Sequence, residues 1–387
     1  MRITEDWLTA PETQAVCAAL TAEGAEAFFV GGCVRNALLG APVSDIDIAT
    51  DATPEVVLEL AKKAGIRAVP TGIDHGTVTL IQGGIPHEVT TFRKDVATDG
   101  RRAVVAFATD IAEDAARRDF TVNALYARPD GSIVDPLGGM PDLETRRIRF
   151  IGTAEDRIRE DYLRSLRYFR FHAWYGDQAA GFDPDALAAI AANLDGLERL
   201  SRERVGAELL KLLAAPDPAP AIAVMRQTGV LAQILPGAED RALAPLLHLE
   251  GQAGLASDPI RRLASISAGL DLQDPLRLSK EQARRLDRLY EAASGTKGPG
   301  ELGYQLGAEQ GRDALILRAA FMEQPLAPKA LEEAEHGAAQ SFPVVAGDLM
   351  PGLSGAALGA ELKRLKVAWI ASGFVLDRAQ LLALSGH

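Results

Sequence analysis

A short acidic segment, Ser44-Asp45-Ile46-Asp47-Ile48, carries more structural information than any other five residues of this chain. If it forms a strand, its side chains alternate between two faces, so Asp45 and Asp47 share one face, roughly 7 Å apart at the backbone. Two carboxylates that reach toward one point suit two divalent cations, which activate an attacking oxygen and stabilise a leaving phosphate. The pattern is typical of enzymes that transfer nucleotidyl groups, although an Asp-x-Asp pair alone is also common in surface turns.

An apolar run that ends in two glycines lies shortly before this segment. Residues 28–30 are Phe-Phe-Val, Gly31 and Gly32 follow, and a helical pattern begins after them. This order predicts a strand, a tight turn and a helix start, where free backbone N–H groups and the helix dipole favour a phosphate. Arg35 could add a charge-assisted contact to a triphosphate, while a solvated arginine is the simpler alternative.

The composition is that of a globular protein. The chain has 387 residues, 47% of them hydrophobic and 24% charged, which allows about two to four domains with their own cores. Its two cysteines, Cys17 and Cys33, fit neither a disulfide framework nor a Cys-x-x-Cys zinc site. Residues 1–8 do not look like a signal peptide, and no apolar run approaches the roughly 20 residues that a membrane helix needs. We therefore expect a cytoplasmic protein.

The charge pattern leaves a nucleic-acid partner open. A formal net charge of −12 argues against one, because polyanion binding usually depends on a basic surface. Arginine is nevertheless dense between Arg93 and Arg170. Since net charge is an average over the whole surface, a basic cleft on an acidic body remains compatible with it.

The chain changes character near residue 150. Before that point, helical segments near residues 11–23, 33–39 and 54–64 alternate with strand-like runs, which predicts an α/β or α+β domain. The strand-like runs are Ala27–Val30, residues 77–81, 88–92, 104–107 and 133–135. Beyond residue 150, Ala/Leu/Arg-rich segments of helical periodicity follow, with Pro/Gly-rich joints near residues 214–220, 235–237 and 295–300. We expect helical modules there.

Two further segments offer polar groups to the same site. Glu88 becomes a third carboxylate, a base or a ligand for the attacking hydroxyl, if its strand lies beside that of Asp45 and Asp47. An exposed glutamate on a sheet face is the commoner case. The polar, glycine-containing segment 93–102 predicts a mobile loop beside the site, or a solvated hairpin connection.

The segment 117–124, Arg-Arg-Asp-Phe-Thr-Val-Asn-Ala, could bind a nucleotide. Arg118 suits phosphate, and Asp119 and Asn123 suit ribose hydroxyls. The same residues could equally form a helix N-terminus capped by Asp119.

The segment 160–170 has two helical stripes. Its apolar stripe includes Leu166, whereas Asp161, Arg164 and Arg167 recur at i, i+3 and i+6 on another face. A carboxylate beside a guanidinium matches the amino donor and ring-nitrogen acceptor of cytosine and adenine and rejects uracil and guanine. Each good bidentate contact contributes about 1–3 kcal/mol of discrimination. A surface salt bridge worth about 0.2–0.5 kcal/mol is the simpler interpretation of an isolated Glu-Asp-x-x-Arg.

Taken together and in order, these segments resemble the bacterial-type (class II) tRNA nucleotidyltransferases, the CCA-adding enzymes of the DNA polymerase β-like superfamily. The matching blocks are residues 31–35 with Asp45-x-Asp47, residues 117–124, residues 135–139, residues 160–167 and residues 200–205. Five ordered blocks between about residues 28 and 212 make coincidence very unlikely.

The resemblance implies an α/β (α+β) nucleotidyltransferase head, residues 1–150, followed by an all-α neck (151–215), body (216–300) and tail (301–387). It implies that Mg²⁺ is bound through Asp45 and Asp47, and together with Glu88 these are the residues that we expect to be catalytic. The residues that we expect to bind the nucleotide, from the resemblance and from the side-chain chemistry above, are Gly31, Gly32, Arg35, Arg118, Asp119, Asn123, Asp161, Arg164, Arg167 and Arg170. The expected reaction adds C, C and A to the 3′ end of tRNA from CTP and ATP and releases pyrophosphate, and we expect no membrane and no stable protein partner.

Asn36 departs from the family, whose first motif usually carries aspartate there. It keeps hydrogen-bonding capacity but loses a charge, so an essential catalytic role for that position is in doubt. Beyond about residue 215 the resemblance thins to helical character and to short segments near residues 348–350 and 369–372. Body and tail would grip the tRNA.

Four other functions are compatible with parts of the pattern. Poly(A) polymerases share the head and neck but tend to carry a basic-aromatic stretch where this chain has residues 68–79. CC-adding enzymes characteristically lack the loop that residues 93–102 would form. A non-catalytic tRNA-binding protein would be expected to lose its metal ligands first, and a glycosyltransferase would have no use for the Glu-Asp-x-x-Arg segment.

Overall fold

The computed structural model describes residues 1–98, 103–350 and 352–385 and divides into two compact units, Met1–Pro236 and Gly237–His387. The first unit contains every described strand. The strands are β1 (Ala27–Val30), β2 (Ile46–Thr50), β3 (Arg67–Gly72), β4 (Thr77–Gln82), β5 (Ile85–Thr91), β6 (Arg93–Thr98), β7 (Ala103–Phe107), β8 (Tyr126–Ala127) and β9 (Ile133–Val134). The predicted mixed head is confirmed, and the four-part division of the chain stays a prediction.

The helices of the first unit surround and follow the sheet. They are α1 (Asp6–Thr9), α2 (Pro11–Thr21), α3 (Gly32–Leu39), α4 (Pro54–Lys63), α5 (Ile111–Ala116), α6 (Met140–Glu144), α7 (Ala154–Glu160), α8 (Leu163–Tyr175), α9 (Pro184–Ala192), α10 (Arg202–Leu213), α11 (Ala219–Gln227) and α12 (Val230–Ile234). Short 3₁₀ turns lie at Ile73–His75, Thr121–Asn123 and Leu194–Arg199.

The main sheet has the strand order β3-β4-β5-β2-β1-β8-β9. β2 is antiparallel to β1 and parallel to β5, and Asp47 is in register with Glu88. Residues in register on neighbouring strands project to the same face, so this pairing brings the two carboxylates together. The condition on which a role for Glu88 depended, that its strand lies beside that of Asp47, is therefore met.

The core of the sheet is apolar and aromatic. Phe28, Phe92 and Tyr126 are almost fully buried and pack against one another, with ring centroids 6.1 to 6.3 Å apart for the two pairs that Phe28 makes. Such rings bury large apolar areas, which stabilises the strands that carry the site. The turn above this core requires glycine, since Gly31 has φ 72° and ψ −121°.

Two expectations about secondary structure are wrong. Residues 93–98 form β6, which pairs antiparallel with β7, so this part of the predicted loop satisfies its backbone groups in a ladder. Residues 99–102, the rest of that predicted loop, lie outside the described residues. The helix expected through residues 158–170 is broken at Asp161, whose φ is −153° and ψ 105°. The Asp161 carboxylate accepts from the backbone N–H of Leu163 at 3.1 Å, and this local bond competes with a continuous helix.

The second unit is helical in the part that the structure describes. Its helices are α13 (Leu243–Gln252), α14 (Pro259–Ile266), α15 (Lys280–Ser294), α16 (Pro299–Met322), α17 (Ala330–Ala338), α18 (Gly355–Ala371) and α19 (Arg378–Ser385), with a 3₁₀ turn at Ala346–Asp348. α16 bends at Gly307, where φ is 82°. Within the described residues, no helix is long and apolar enough to cross a membrane.

Candidate active site

Two guanidinium groups flank the glycine turn between β1 and α3. A Cβ built on Gly31 would lie 3.6 Å from Arg118 Nη1, and one built on Gly32 would lie 3.9 Å from Arg35 Nη2. The first N–H groups of α3 have no partner within the helix, and its dipole is positive at this end. The turn therefore combines a helix N-terminus with two cations, an arrangement that suits a polyphosphate.

Three carboxylates lie near the same turn. Asp47 is in β2, Glu88 is its neighbour in β5, and Asp45 directly precedes β2. The strand begins two residues later than the alternation argument assumed, so Asp45 lies outside the ladder, and it accepts a hydrogen bond from Ser44 Oγ at 2.9 Å. Asp45 and Glu88 are exposed and Asp47 is half-buried.

The negative charges of Glu88 and Asp45 both act on the carboxylate of Asp47. Burial, then the negative charge of Glu88, raises the pKa of Asp47 to about 6, and Asp45 adds to the rise while Arg118 opposes it. A carboxylate among like charges is stabilised by a bound cation. The three acids are hard oxygen donors of the kind that divalent cations take.

Arg118 is held by two residues that the sequence reasoning missed. Asp114 Oδ2 accepts from Arg118 Nη2 at 3.0 Å, and Arg118 Nε donates to Tyr126 Oη at 3.1 Å. Asp114 is almost fully buried; burial opposes its ionisation, but Arg118 and then Arg117 lower its pKa to about 2. The spacing of Asp114 and Arg118, i to i+4 on a helical segment, was the signal that could have found this pair.

Asp119 and Asn123 form a buried network instead of facing open solvent. Asn123 donates from Nδ2 to Asp119 Oδ1 at 2.9 Å and accepts from Arg35 Nη1 at 2.5 Å. Arg167 donates from Nε to Asp119 Oδ2 at 2.7 Å, and both Asp119 and Asn123 are less than a tenth exposed. These contacts link the glycine-turn helix α3 to α8 through the segment after α5.

The side chains of Asp161 and Arg164 each bind a different residue. Asp161 Oδ2 accepts from Arg204 Nη2 at 2.6 Å. Arg164 donates to Glu160 Oε2 at 2.5 Å and, through Nη2, to the carbonyl of Arg117 at 3.0 Å. The surface salt bridge between Asp161 and Arg164, considered as the simpler interpretation, is therefore not what holds these side chains. Arg164 is instead fixed beside the segment that carries Arg118.

Three guanidinium groups lie close to the aromatic ring of Phe171 in α8. Arg35, Arg167 and Arg170 lie 5.0, 5.1 and 4.4 Å from the centroid of its ring. Arg170 also donates to Glu208, which is buried, at 2.5 Å. Cation–π contacts of this kind stabilise a cation without removing its charge. The structure thus brings the predicted arginines of α3 and α8 to one aromatic side chain.

Another acidic group lies in the second unit. Carboxylate oxygens of Asp258, Glu309 and Asp313 lie within 4.8 Å of one another. Arg285 Nη2 lies 2.6 Å from Asp258 and 2.9 Å from Asp313, and Arg261 also pairs with Asp313. Arg285 already supplies positive charge to this group, so we interpret it as a partly buried ion-pair cluster and not as a metal centre.

Comparisons with known proteins agree with this geometry. Residues 27–149 match the family described as Poly A polymerase head domain, and residues 181–241 match that described as probable RNA and SrmB-binding site of polymerase A. The mitochondrial CCA tRNA nucleotidyltransferase 1 of Mus musculus is 34% identical over 378 residues, which cover 93% of this chain and 86% of the relative. This chain belongs to the CCA tRNA nucleotidyltransferase family. It is therefore an enzyme of the nucleotidyltransferase class.

Other members support the same assignment. The CCA-adding enzyme of Geobacillus thermodenitrificans is 42% identical over 224 residues, 57% of this chain and 54% of the relative. The crystal structure of the Bacillus stearothermophilus CCA-adding enzyme in complex with CTP superposes with a TM-score of 0.73 at 29% identity and covers 93% of this chain and 92% of the other. The predicted family, the α+β head and the helical remainder are confirmed.

We expect Asp114→Asn to lower the free energy of unfolding by roughly 2–3 kcal/mol at pH 7, because a pKa of about 2 against the ordinary 3.8 corresponds to that energy. The Asp114 pKa is lowered in the folded state, so its contribution is complete above about pH 4 and is lost as the pH falls toward 2. Urea unfolding at several pH values measures the difference.

The matched control is Glu113→Gln, on the same helix, because Glu113 is exposed and pairs with Lys94 across 3.3 Å. Such an exposed pair contributes less than about 1 kcal/mol. Equal stabilities of the two variants at pH 7 would show that Asp114 is not the counter-charge of Arg118.

Proposed function

We propose that this enzyme adds C, C and A in sequence to the 3′ end of tRNA, using CTP and ATP and releasing pyrophosphate. The observation that carries the proposal is the position of Asp47 and Glu88 on adjacent parallel strands, next to a glycine turn flanked by Arg35 and Arg118. A metal-binding acidic face beside a phosphate-binding turn is what nucleotidyl transfer requires. The similarity to CCA-adding relatives over 93% of the chain supports the same reaction.

The carboxylates fit a divalent cation, and we assign Mg²⁺ to Asp45 and Asp47. Hard oxygen donors are the ligands that Mg²⁺ prefers, and the repulsion among Asp45, Asp47 and Glu88 is relieved by positive charge. When bound, Mg²⁺ supplies Lewis-acid stabilisation of the phosphate oxygens and lowers the pKa of the attacking hydroxyl.

The side chains of the site have separate roles in the reaction. The 3′-hydroxyl oxygen of the tRNA attacks the α-phosphorus of the nucleotide, the bond from that phosphorus to the bridging oxygen breaks, and pyrophosphate leaves with the electron pair. Glu88, exposed beside Asp47, is the candidate acceptor of the hydroxyl proton. The turn at Gly31 and Gly32, with Arg35 and Arg118, holds the triphosphate and stabilises the leaving charge.

Selection of the base is assigned to Asp161 and Arg164. The carboxylate accepts from the amino group of cytosine or adenine, and the guanidinium donates to the neighbouring ring nitrogen. Arg204 and Glu160, the present partners of these side chains, orient them in the absence of nucleotide. Asp119, Asn123, Arg167 and Arg170 support the nucleotide by fixing the wall formed by α8.

We further propose that the enzyme works in a reducing compartment such as the cytoplasm. Both cysteines, Cys17 and Cys33, are free and buried, so no covalent link between them contributes to the fold.

The test of the reaction is extension of a tRNA transcript that lacks its 3′-CCA, resolved at single-nucleotide length, with Mg²⁺ and CTP, ATP or both. We expect growth by two nucleotides with CTP and by three with both, because each addition changes the 3′ end that the site must accommodate. A long ladder with ATP alone would indicate poly(A) synthesis, and a stop at two with both nucleotides would indicate CC addition. Absence of extension would favour a tRNA-binding protein without catalysis.

Asp47→Asn should abolish extension, since the amide keeps the shape of the side chain but removes a metal-binding charge. The fold should not be weakened, because one of three mutually repelling carboxylates is neutralised. Extension assays and thermal unfolding are measured together, with Asp51→Asn at the end of the same strand as the control. Turnover near that of the unmutated enzyme by a folded Asp47→Asn protein would remove the metal assignment.

Asp161→Asn should reduce the preference for CTP over UTP by about tenfold or more, because an amide replaces one acceptor with a donor and discrimination of about 1–3 kcal/mol depends on that acceptor. Asparagine can still accept from the Leu163 N–H, so the break before α8 should persist. The ratio of kcat/KM for CTP and UTP is the measurement, with exposed Asp156→Asn as the control. An unchanged ratio, with tRNA affinity also unchanged, would refute base reading by Asp161.

A further inference from the structure

Arg35 is a buried cation whose side-chain partners are all neutral. It is 6% exposed. Its guanidinium donates to Asn123 Oδ1 at 2.5 Å, to Asn36 Oδ1 at 2.8 Å and to Tyr175 Oη at 2.9 Å. Within the described residues, no carboxylate lies within 4.0 Å of this guanidinium. A buried charge without a counter-ion is costly unless something else holds it.

The other arginines of the site differ from Arg35 in this respect. Arg118 pairs with Asp114, Arg167 with Asp119 and Arg170 with Glu208. Each of those charges is largely cancelled inside the protein. Arg35 therefore retains the least compensated positive charge beside the glycine turn, where its Nη2 lies 3.9 Å from a Cβ built on Gly32.

Tyr175, the last residue of α8, contacts Arg35 through both its ring and its hydroxyl. The Arg35 Cζ atom lies 4.0 Å from the centroid of the Tyr175 ring, closer than it lies to the ring of Phe171 at 5.0 Å. The same tyrosine accepts a hydrogen bond from Arg35 through its hydroxyl. Asn36 accepts from the opposite side and is itself anchored, since its Nδ2 donates to the carbonyl of Pro42 at 2.8 Å.

We propose that Tyr175 is a positioning residue that holds Arg35 against the nucleotide triphosphate through its ring face and its hydroxyl. The inference rests on the proposed function only in taking the ligand of Arg35 to be a nucleotide triphosphate. An aromatic face and neutral oxygens fix the orientation of a guanidinium but leave its charge in place, whereas a carboxylate would fix it and cancel the charge. Tyr175 thus sets the affinity for CTP and ATP through Arg35, and it has no part in the reading of the base.

Two substitutions at Tyr175 separate the contributions of its ring and its hydroxyl. Tyr175→Leu removes both and should raise the KM for CTP and ATP about tenfold, while kcat and the KM for tRNA change less than about threefold. Tyr175→Phe keeps the ring and should raise the KM for both nucleotides only about two- to threefold. Calorimetric titration of CTP in magnesium buffer, without tRNA, should show the same order of dissociation constants.

Trp174→Leu is the matched control, because Trp174 precedes Tyr175 in α8 but is exposed and donates to the carbonyl of Lys211. It should leave the CTP dissociation constant within about twofold of the unmutated enzyme. Adding Asn36→Asp to Tyr175→Leu should recover at least about threefold in CTP affinity, because a carboxylate then holds Arg35. Asn36→Asp in the otherwise unmutated chain should give no gain.

Unchanged CTP affinity in folded Tyr175→Leu, or equal losses with and without Asn36→Asp, would overturn the proposal. If Tyr175→Leu does not fold, a Tyr175→Phe protein with unaltered CTP affinity would overturn it in the same way. The titrations need no catalysis, so an unmutated enzyme that binds CTP but fails to extend tRNA contradicts the proposed reaction and still tests Tyr175.

Discussion

The partly buried ion pair between Asp119 and Arg167 joins the segment after α5 to α8. Asp119 follows the short helix that carries Asp114, and Arg167 lies in the middle of α8, with the two side chains 2.6 Å apart at Oδ2 and Nη2. Burial raises and the guanidinium of Arg167 lowers the pKa of Asp119, with a net lowering, while Asn123 adds a hydrogen bond to the same carboxylate. Removal of Arg167 would leave the buried carboxylate of Asp119 without its counter-charge, which is costly because Asp119 is 7% exposed, whereas Arg167 is partly exposed to solvent. The glycine turn and the helix that begins at Leu163 are therefore linked through Arg35, Asn123, Asp119 and Arg167.

The charges of the site are divided between those that the protein compensates and those that it leaves available. Arg118, Arg167 and Arg170 are paired with carboxylates, which makes them structural supports as well as sources of positive potential. Within the part of the chain that the structure describes, no arginine pairs directly with Asp45, Asp47 or Glu88, and burial, followed by the charge of Glu88, raises the pKa of Asp47. Sites that bind strongly charged ligands keep this kind of imbalance, because the ligand supplies the missing charge.

Net charge describes this protein poorly for the same reason. The chain carries −12 overall, yet three guanidinium groups surround the ring of Phe171 and a fourth flanks Gly31. The local electrostatic potential depends on the spacing and burial of individual charges, because the effect of each charge falls off with distance and is screened by salt. The net charge averages over the whole surface.

Short-range patterns in the sequence were enough to predict the strand before Gly31, the helix after it, the acidic strand and the family. Each depends on residues close together in the chain: glycine is needed where φ is 72°, and apolar and acidic side chains alternate with a period of two. The break at Asp161 was missed because its carboxylate accepts a hydrogen bond from the nearby backbone N–H of Leu163. The β6 strand was missed because the polar, glycine-containing segment 93–102 was interpreted as a loop, although residues 93–98 pair with the nearby β7.

Only the tertiary structure decided which partner each charged side chain takes. Asp161 meets Arg204, Arg118 meets Asp114 and Tyr126, and Arg35 stacks on Tyr175, 140 residues away along the chain. The type of each residue determines which bonds its side chain is able to make, and the sequence gives the residue types directly. Which of those bonds forms depends on distances set by sheet register and helix packing, and those distances exist only once the chain has folded.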